Sequence, residues 1–258
     1  ESYFRILAAD LLSDDIEKIL YLDCDLVVVD EIMELWDTPL RDHAVAAAPD
    51  LYGGFRREAL GMPARSPYVN AGVLLLNLGR WRREGIGRRL IRFVEEHGEL
   101  TFHDQDAINA VLHDSILLLD RRWNVQAQMY CARRRAVGDD LEAIREACRT
   151  AAVIHYAGPE KPWRFRVSVA RRHLYFRYLN LTAWRGTALQ GMAWYHLPEH
   201  WLGVALGAVG IDYVRVLSLA GRCWRLAIFQ TERERRAAAR RYRTPPAVNP
   251  ARKADAAR

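Results

Sequence analysis

The sequence predicts a layered α/β domain on a mainly parallel sheet, and three observations carry that expectation. Apolar runs of strand length recur at residues 19–22, 26–29, 44–48, 73–76, 116–119 and 151–154. Most are continuous rather than alternating, as in strands covered on both faces. Helical periodicity fills the intervals. Ile86, Leu90, Phe93 and Val94 share one face before Gly98, and Ala107, Ile108, Val111 and Leu112 share another after an acidic first turn at Asp104 and Asp106. Strands alternating with helices build layered sheets.

The 258 residues, half of them hydrophobic, suffice for one large α/β domain or for a domain with an added helical part. The formal charge of +6 is unevenly placed: residues 222–258 hold 11 Lys/Arg against 3 Asp/Glu, leaving 27 against 29 in residues 1–221. After Pro162 the composition turns aromatic and basic, with a helical stretch over 164–184 and a second apolar stretch over 201–229. The latter is broken by Asp212, Arg215, Arg222 and Arg225 and makes a poor membrane span. Its interleaved aromatics and arginines suit either a surface on anionic lipid or a packed helical cap with solvated arginines. Residues 232–258, rich in Ala and Arg and carrying Pro245 and Pro246, read as a disordered basic tail. No recognition motif accompanies that tail, so nucleic-acid binding is not expected.

Cys24, Cys131, Cys148 and Cys223 are scattered without metal or disulfide spacing, which fits a reducing compartment. The chain opens on Glu-Ser-Tyr-Phe-Arg, in which no secretory leader is visible.

The most informative segment is Lys18-Ile-Leu-Tyr-Leu-Asp-Cys-Asp-Leu-Val-Val-Val-Asp30. In extended chain Asp23 and Asp25 point the same way and Cys24 points opposite. Two adjacent carboxylates are costly to bury unless a cation lies between them. A divalent ion answers that need, and a polar turn is the other reading.

Three further clusters bear on the pair. In Asn70-Ala-Gly-Val-Leu-Leu-Leu-Asn77 an amide and a glycine precede a buried strand, where the glycine admits a ligand close to the backbone or serves an ordinary loop. In His103-Asp-Gln-Asp-Ala-Ile-Asn109 at least one of Asp104 and Asp106 reads as a helix cap, whereas Gln105 has no capping duty and can face a ligand. In His155-Tyr-Ala-Gly-Pro-Glu-Lys-Pro-Trp163 a histidine ends a buried strand, Gly158 permits a tight turn and Lys161 is a point charge suited to phosphate. Two carboxylates and an imidazole form a mixed site that suits manganese better than magnesium.

Taken in order, Leu20-Tyr-Leu-Asp-Cys-Asp-Leu-Val-Val, Glu34-Leu-Trp-Asp, Asn70-Ala-Gly-Val-Leu-Leu-Leu-Asn-Leu, Asp104-Gln-Asp-Ala-Ile-Asn and His155-Tyr-Ala-Gly-Pro-Glu-Lys-Pro-Trp resemble glycosyltransferase family 8. Within it the chain is most similar to bacterial lipopolysaccharide galactosyl- and glucosyltransferases. The resemblance implies a GT-A fold over residues 1–163, a helical region over 164–231 and the tail beyond. It further implies a retaining, Mn2+-dependent transferase, with Mg2+ as the alternative ion, moving glucose or galactose from a UDP-sugar to a glycan or lipid-linked saccharide. Asp23, Asp25 and His155 would hold the metal, while Gly158 and Lys161 would contact the diphosphate and Arg5 would reach the donor. Asp50, Asn70, Asp104 and Gln105 match positions around the donor sugar and reacting centre, and Asp106 is the remaining catalytic candidate.

The setting implied is cytoplasmic, with peripheral membrane contact through the C-terminal region. Family members begin tens of residues before the segment matching Glu1, so the resemblance also implies that uridine-binding strands are missing and that this chain alone is unstable or inactive. A self-glycosylating primer of the glycogenin type, with Tyr242 as acceptor, and a non-catalytic membrane-associated scaffold are the competing readings.

Overall fold

The computed structural model describes residues 2–132, 140–165 and 167–191, together with Leu202 and Ala205. The chain divides into two units, Glu1–Met192 and Ala193–Arg258. Leu202 and Ala205 are helical. Otherwise the second apolar stretch, Tyr242 and the basic tail lie outside the described residues.

A 3-10 turn, Ser2–Leu7, leads into α1 (Ala8–Leu11). There follow β1 (Lys18–Leu22), β2 (Leu26–Val28), α2 (Met33–Trp36), β3 (Val45–Pro49), β4 (Val69–Asn77), α3 (Leu78–Glu84), α4 (Ile86–His97) and α5 (His103–Leu112). The remaining strands and α-helices among the described residues are β5 (Ile116–Leu118), β6 (Val125–Gln126), α6 (Leu141–Arg149), β7 (Val153–His155) and α7 (Arg172–Leu179). Each apolar run of the sequence became a strand. The helical stretch expected over 164–184 is shorter, its α-helix being confined to α7.

The strands form two sheets, one ordered β1-β4-β3-β5 and the other β2-β7-β6. The α/β class holds, but the expectation of a mainly parallel sheet needs correction. β4 runs antiparallel to both β1 and β3, β2 runs antiparallel to β7, and among the described strands only β3–β5 and β6–β7 are parallel. The cause lies in what a continuous apolar run encodes. On β4, Leu74 and Leu76 enter one core with Trp81, Ile86, Leu90 and Ile108, while Val73 and Leu75 enter another with Leu35, Trp123 and Val153. Burial on both faces therefore follows from the run, and strand direction does not.

One feature of this topology positions the site. The Asp23 amide donates to the Gly72 carbonyl at 2.8 Å and so continues the β1–β4 ladder. Two residues later the Tyr156 amide donates to the Asp25 carbonyl at 2.9 Å, and Leu26 pairs with His155 across β2 and β7. The chain passes from one sheet to the other between the two carboxylates.

Candidate metal centre and its surroundings

Asp23, Asp25 and His155 each offer a ligand atom, and those atoms lie within 4.8 Å of one another. His155 Nε2 is 3.1 Å from Asp25 Oδ1 and 3.8 Å from Asp23 Oδ2. A first-row divalent ion with bonds of about 2.0–2.2 Å spans such separations, and two carboxylates with one imidazole form the mixed oxygen and nitrogen donor set that manganese accepts. The residues present fit the ion.

Two cations flank the carboxylates. Lys161 Nζ donates to Asp25 Oδ2 and, at 2.9 Å, to the Tyr156 carbonyl. Burial alone would raise the Asp25 pKa, but hydrogen bonds and charge from His155 and Lys161 outweigh it and bring it down to about 2. On the other side Arg5 donates to Asp23 Oδ1 at 2.9 Å and to the Ala71 carbonyl, and its guanidinium lies 4.2 Å from the centre of the Tyr21 ring. The Tyr21 hydroxyl donates to the same Asp23 oxygen at 2.9 Å.

Arg5 also reaches Asp104, with Nε 2.7 Å from Oδ2 in an ion pair that lacks hydrogen-bond alignment. Burial pushes Asp104 up to about 6, against the lowering effect of Arg5.

Gln105 stands between β4 and Asp50. Its Oε1 accepts from the Ala71 amide at 3.0 Å and from Asn70 Nδ2 at 3.1 Å, while its Nε2 lies 3.5 Å from Asp50 Oδ2 and 3.4 Å from the Tyr68 hydroxyl. Asp50 collects the cluster, because Asn70 and Gln126 donate to its Oδ2 at 2.9 and 3.0 Å and the Tyr52 and Gly53 amides donate to its Oδ1.

Asp106 is different. It is fully buried, receiving the Tyr68 hydroxyl on one oxygen and Arg56 and the Phe102 amide on the other. The Phe102 bond is the helix-start duty expected of one of the two acids, and the carboxylate is closed to a ligand.

Gly72 also requires correction. Asn70, Ala71 and Gly72 lie within β4 rather than ahead of it. A Cβ on Gly72 would fall 2.2 Å from His155 Cε1 and 2.6 Å from Nδ1, so the missing side chain makes room for the histidine ring rather than for a ligand. Gly158 does turn the backbone tightly, at φ 87°.

Sequence reasoning missed Tyr21, Arg56, Tyr68, Asn124 and Gln126. Tyr21 was visible as an aromatic two positions before Asp23, hence on the same face. Asn124 and Gln126 were visible as amides within an otherwise apolar Trp-Asn-Val-Gln-Ala segment.

An apolar cavity of about 770 Å³ is lined by Leu26, Val27, Trp163, Tyr175, Tyr178 and Trp184 among others. Leu26 follows Asp25, and Trp163 lies two positions after Lys161. Among the described residues no helix is long and apolar enough to cross a membrane.

Residues 1–166 match the family described as Glycosyl transferase family 8. General stress protein A of Bacillus subtilis is 33% identical over 190 residues, covering 71% of this chain and 66% of that protein. The lipopolysaccharide 1,3-galactosyltransferase of Salmonella typhimurium is 31% identical over 170 residues, covering 63% of this chain and 49% of that one. The chain thus spans from about half to just under two thirds of these relatives. Among solved structures, the galactosyltransferase LgtC, crystallised with donor and acceptor sugar analogues, superposes with a TM-score of 0.61 at 29% identity, over 77% of this chain and 70% of LgtC.

Proposed function

Since the chain belongs to glycosyltransferase family 8, we propose that it transfers a hexose, glucose or galactose, from a UDP-sugar to a glycan or lipid-linked saccharide, with retention at the anomeric carbon. One observation carries the reading: the ligand atoms of Asp23, Asp25 and His155 converge within 4.8 Å, beside a lysine that reaches Asp25. Similarity to a lipopolysaccharide galactosyltransferase and to LgtC supports the substrate class.

Asp23, Asp25 and His155 would hold Mn2+, or Mg2+ in its place. The ion, when bound, supplies positive charge to the diphosphate as the bond to the sugar breaks. Lys161 adds a second positive charge to that diphosphate, where negative charge grows in the transition state. Its ammonium is within reach because the positive φ of Gly158 turns the chain back after β7.

Arg5 keeps Asp23 oriented and presents charge to the donor. Asp50, Asn70 and Gln105 form a rigid amide and carboxylate cluster for the sugar hydroxyls. Gln105 is held through its oxygen by a backbone amide, which suits positioning better than nucleophilic attack. Asp104 is buried and has one carboxylate oxygen 2.7 Å from Arg5 Nε, which likewise suits positioning better than nucleophilic attack. These features support attack by the acceptor on the leaving-group face, with the departing phosphate taking the proton. Asp106 acts as an anchor for the 3-10 turn that carries Arg56.

The apolar cavity whose lining includes Leu26, the residue after Asp25, supports an acceptor with a hydrophobic portion. The reading places the enzyme in the cytoplasm, with peripheral contact to anionic lipid through residues 164–231.

The test is a donor screen on the longest form of the protein in which residues 1–258 occur. Each UDP-hexose is supplied in turn with Mn2+ or EDTA, and UDP release is read. Metal-dependent release from UDP-glucose or UDP-galactose is expected. Release indifferent to EDTA, or none from any UDP-hexose, refutes the proposal.

A further inference from the structure

The orientation of the His155 ring is fixed by a chain of hydrogen bonds that begins at a backbone amide. A backbone N–H can only donate, so the Gly72 amide, 2.9 Å from one side-chain atom of Asn70, identifies that atom as the oxygen. The other end of Asn70 then carries the NH2, which agrees with its 2.9 Å contact to the Asp50 carboxylate. Asn124 approaches the same Asn70 oxygen at 2.9 Å and must present its own NH2 there. Its oxygen consequently faces His155 Nδ1, also at 2.9 Å. An amide oxygen accepts and cannot donate, so Nδ1 carries a proton whatever the charge of the ring; when the ring is neutral, Nε2 is therefore the bare nitrogen, and it faces Asp25 and Asp23.

From this geometry we infer that Asn124 is a positioning residue for the metal centre. By accepting from Nδ1–H, it selects the His155 tautomer whose Nε2 lone pair points between the two carboxylates. Asn124 is fully buried and His155 nearly so. Both lie on adjoining backbone, since Val125 and Gln126 pair with Ile154 and His155. The ring is also confined on its other side, because it packs over Gly72 where a Cβ would collide with it. Partners of this type on the distal nitrogen of a ligating histidine fix both tautomer and ring plane, and their loss weakens metal binding by about 10- to 100-fold.

The inference rests on the metal reading above, and the experiment separates the two. Mn2+ binding to the metal-free protein is measured by calorimetry for the wild type, Asn124→Leu and Asn124→Asp. In parallel, the ring nitrogens of His155 are observed by two-bond 1H–15N NMR in the neutral, metal-free state. Asn124→Leu removes the acceptor at similar volume and is expected to weaken Mn2+ by about tenfold or more. Asn124→Asp retains an acceptor for Nδ1–H but loses the donor to Asn70, and it is expected to bind Mn2+ at least as tightly as the wild type.

Unchanged affinity in Asn124→Leu overturns the inference. So does a folded Asn124→Asp that loses Mn2+ binding, because the contact to Asn70 would then be the one that matters. Should Asn124→Leu fail to fold, the Asn124→Asp result and the ring spectrum still decide. A wild type that takes up no Mn2+ sinks the metal reading. The tautomer stands or falls separately, on whether the proton is found on Nδ1 or on Nε2.

Discussion

Arg5 Nε lies 2.7 Å from Asp104 Oδ2, and the same guanidinium donates to Asp23 at 2.9 Å, so one cation links an acid of the metal centre to an acid at the start of α5. The link does not fully offset the burial of Asp104, whose pKa is raised to about 6 from 3.8. A carboxyl whose pKa rises on folding favours the native state below its unfolded pKa and loses that advantage as pH climbs through the folded value. The difference in unfolding free energy between Asp104→Asn and the wild type should therefore grow between pH 4 and pH 7, by up to about 3 kcal/mol. Urea titrations at four or five pH values read it directly, and a flat difference would contradict the assignment.

Lys161 occupies Asp25 when no other cation is there. Lys161→Met should tighten the binding of Mn2+ alone by about fivefold, which corresponds to about 1 kcal/mol for a partly exposed ion pair. The same change should weaken UDP binding in the presence of Mn2+, since the diphosphate loses a charge. Calorimetry with and without UDP distinguishes these opposite shifts; parallel shifts would separate Lys161 from the diphosphate.

Gly72→Ala puts a methyl group where His155 packs. The ring must move, so Mn2+ affinity should fall by about tenfold or more, and overpacking should cost about 1–3 kcal/mol. Retention of wild-type affinity would mean that the ring position tolerates displacement.

Asp106 and Tyr68 form a buried anchor with a bond of 2.6 Å. Tyr68→Phe should cost about 1 kcal/mol, and Asp106→Ala, which strands Arg56, about 3–5 kcal/mol. Denaturant unfolding measures both. A stable Asp106→Ala with abolished turnover would restore the acid to the catalytic candidates.

Gln105→Ala removes the bridge between β4 and Asp50 without touching a metal ligand. A fall in kcat of about 100-fold is expected from lost alignment, with Mn2+ affinity unchanged. Unaltered turnover would remove Gln105 from the reacting centre.

Much of this organisation was legible in the sequence because it rests on one-dimensional patterns. The strand runs marked all the longer strands, and Asp-x-Asp brought two carboxylates forward before any contact was known, although Cys24 and Asp25 form a turn rather than the extended chain from which a shared face was read. Strand direction was not legible, because Val73 to Leu76 are buried on both sides whichever way β4 runs. Gly72 was misread for a related reason: the group that fills the space above it comes from His155, 83 positions away, and no local pattern carries that information. Asn124 escaped notice because a single buried amide has no periodicity. Its meaning comes only from Asn70 and His155 on either side. Asp104 and Asp106 look alike in sequence, yet one faces Arg5 and the other is walled in by Tyr68 and Arg56.

Because Asp23 is laddered to β4 and Asp25 to β7, the two carboxylates belong to separate hydrogen-bonded sheets joined at this point by a single intervening residue. Anything gripping both acids acts as a clasp across that seam. Its binding free energy is then shared with the cohesion of the protein: parting the sheets releases the ligand, and holding the ligand resists the parting.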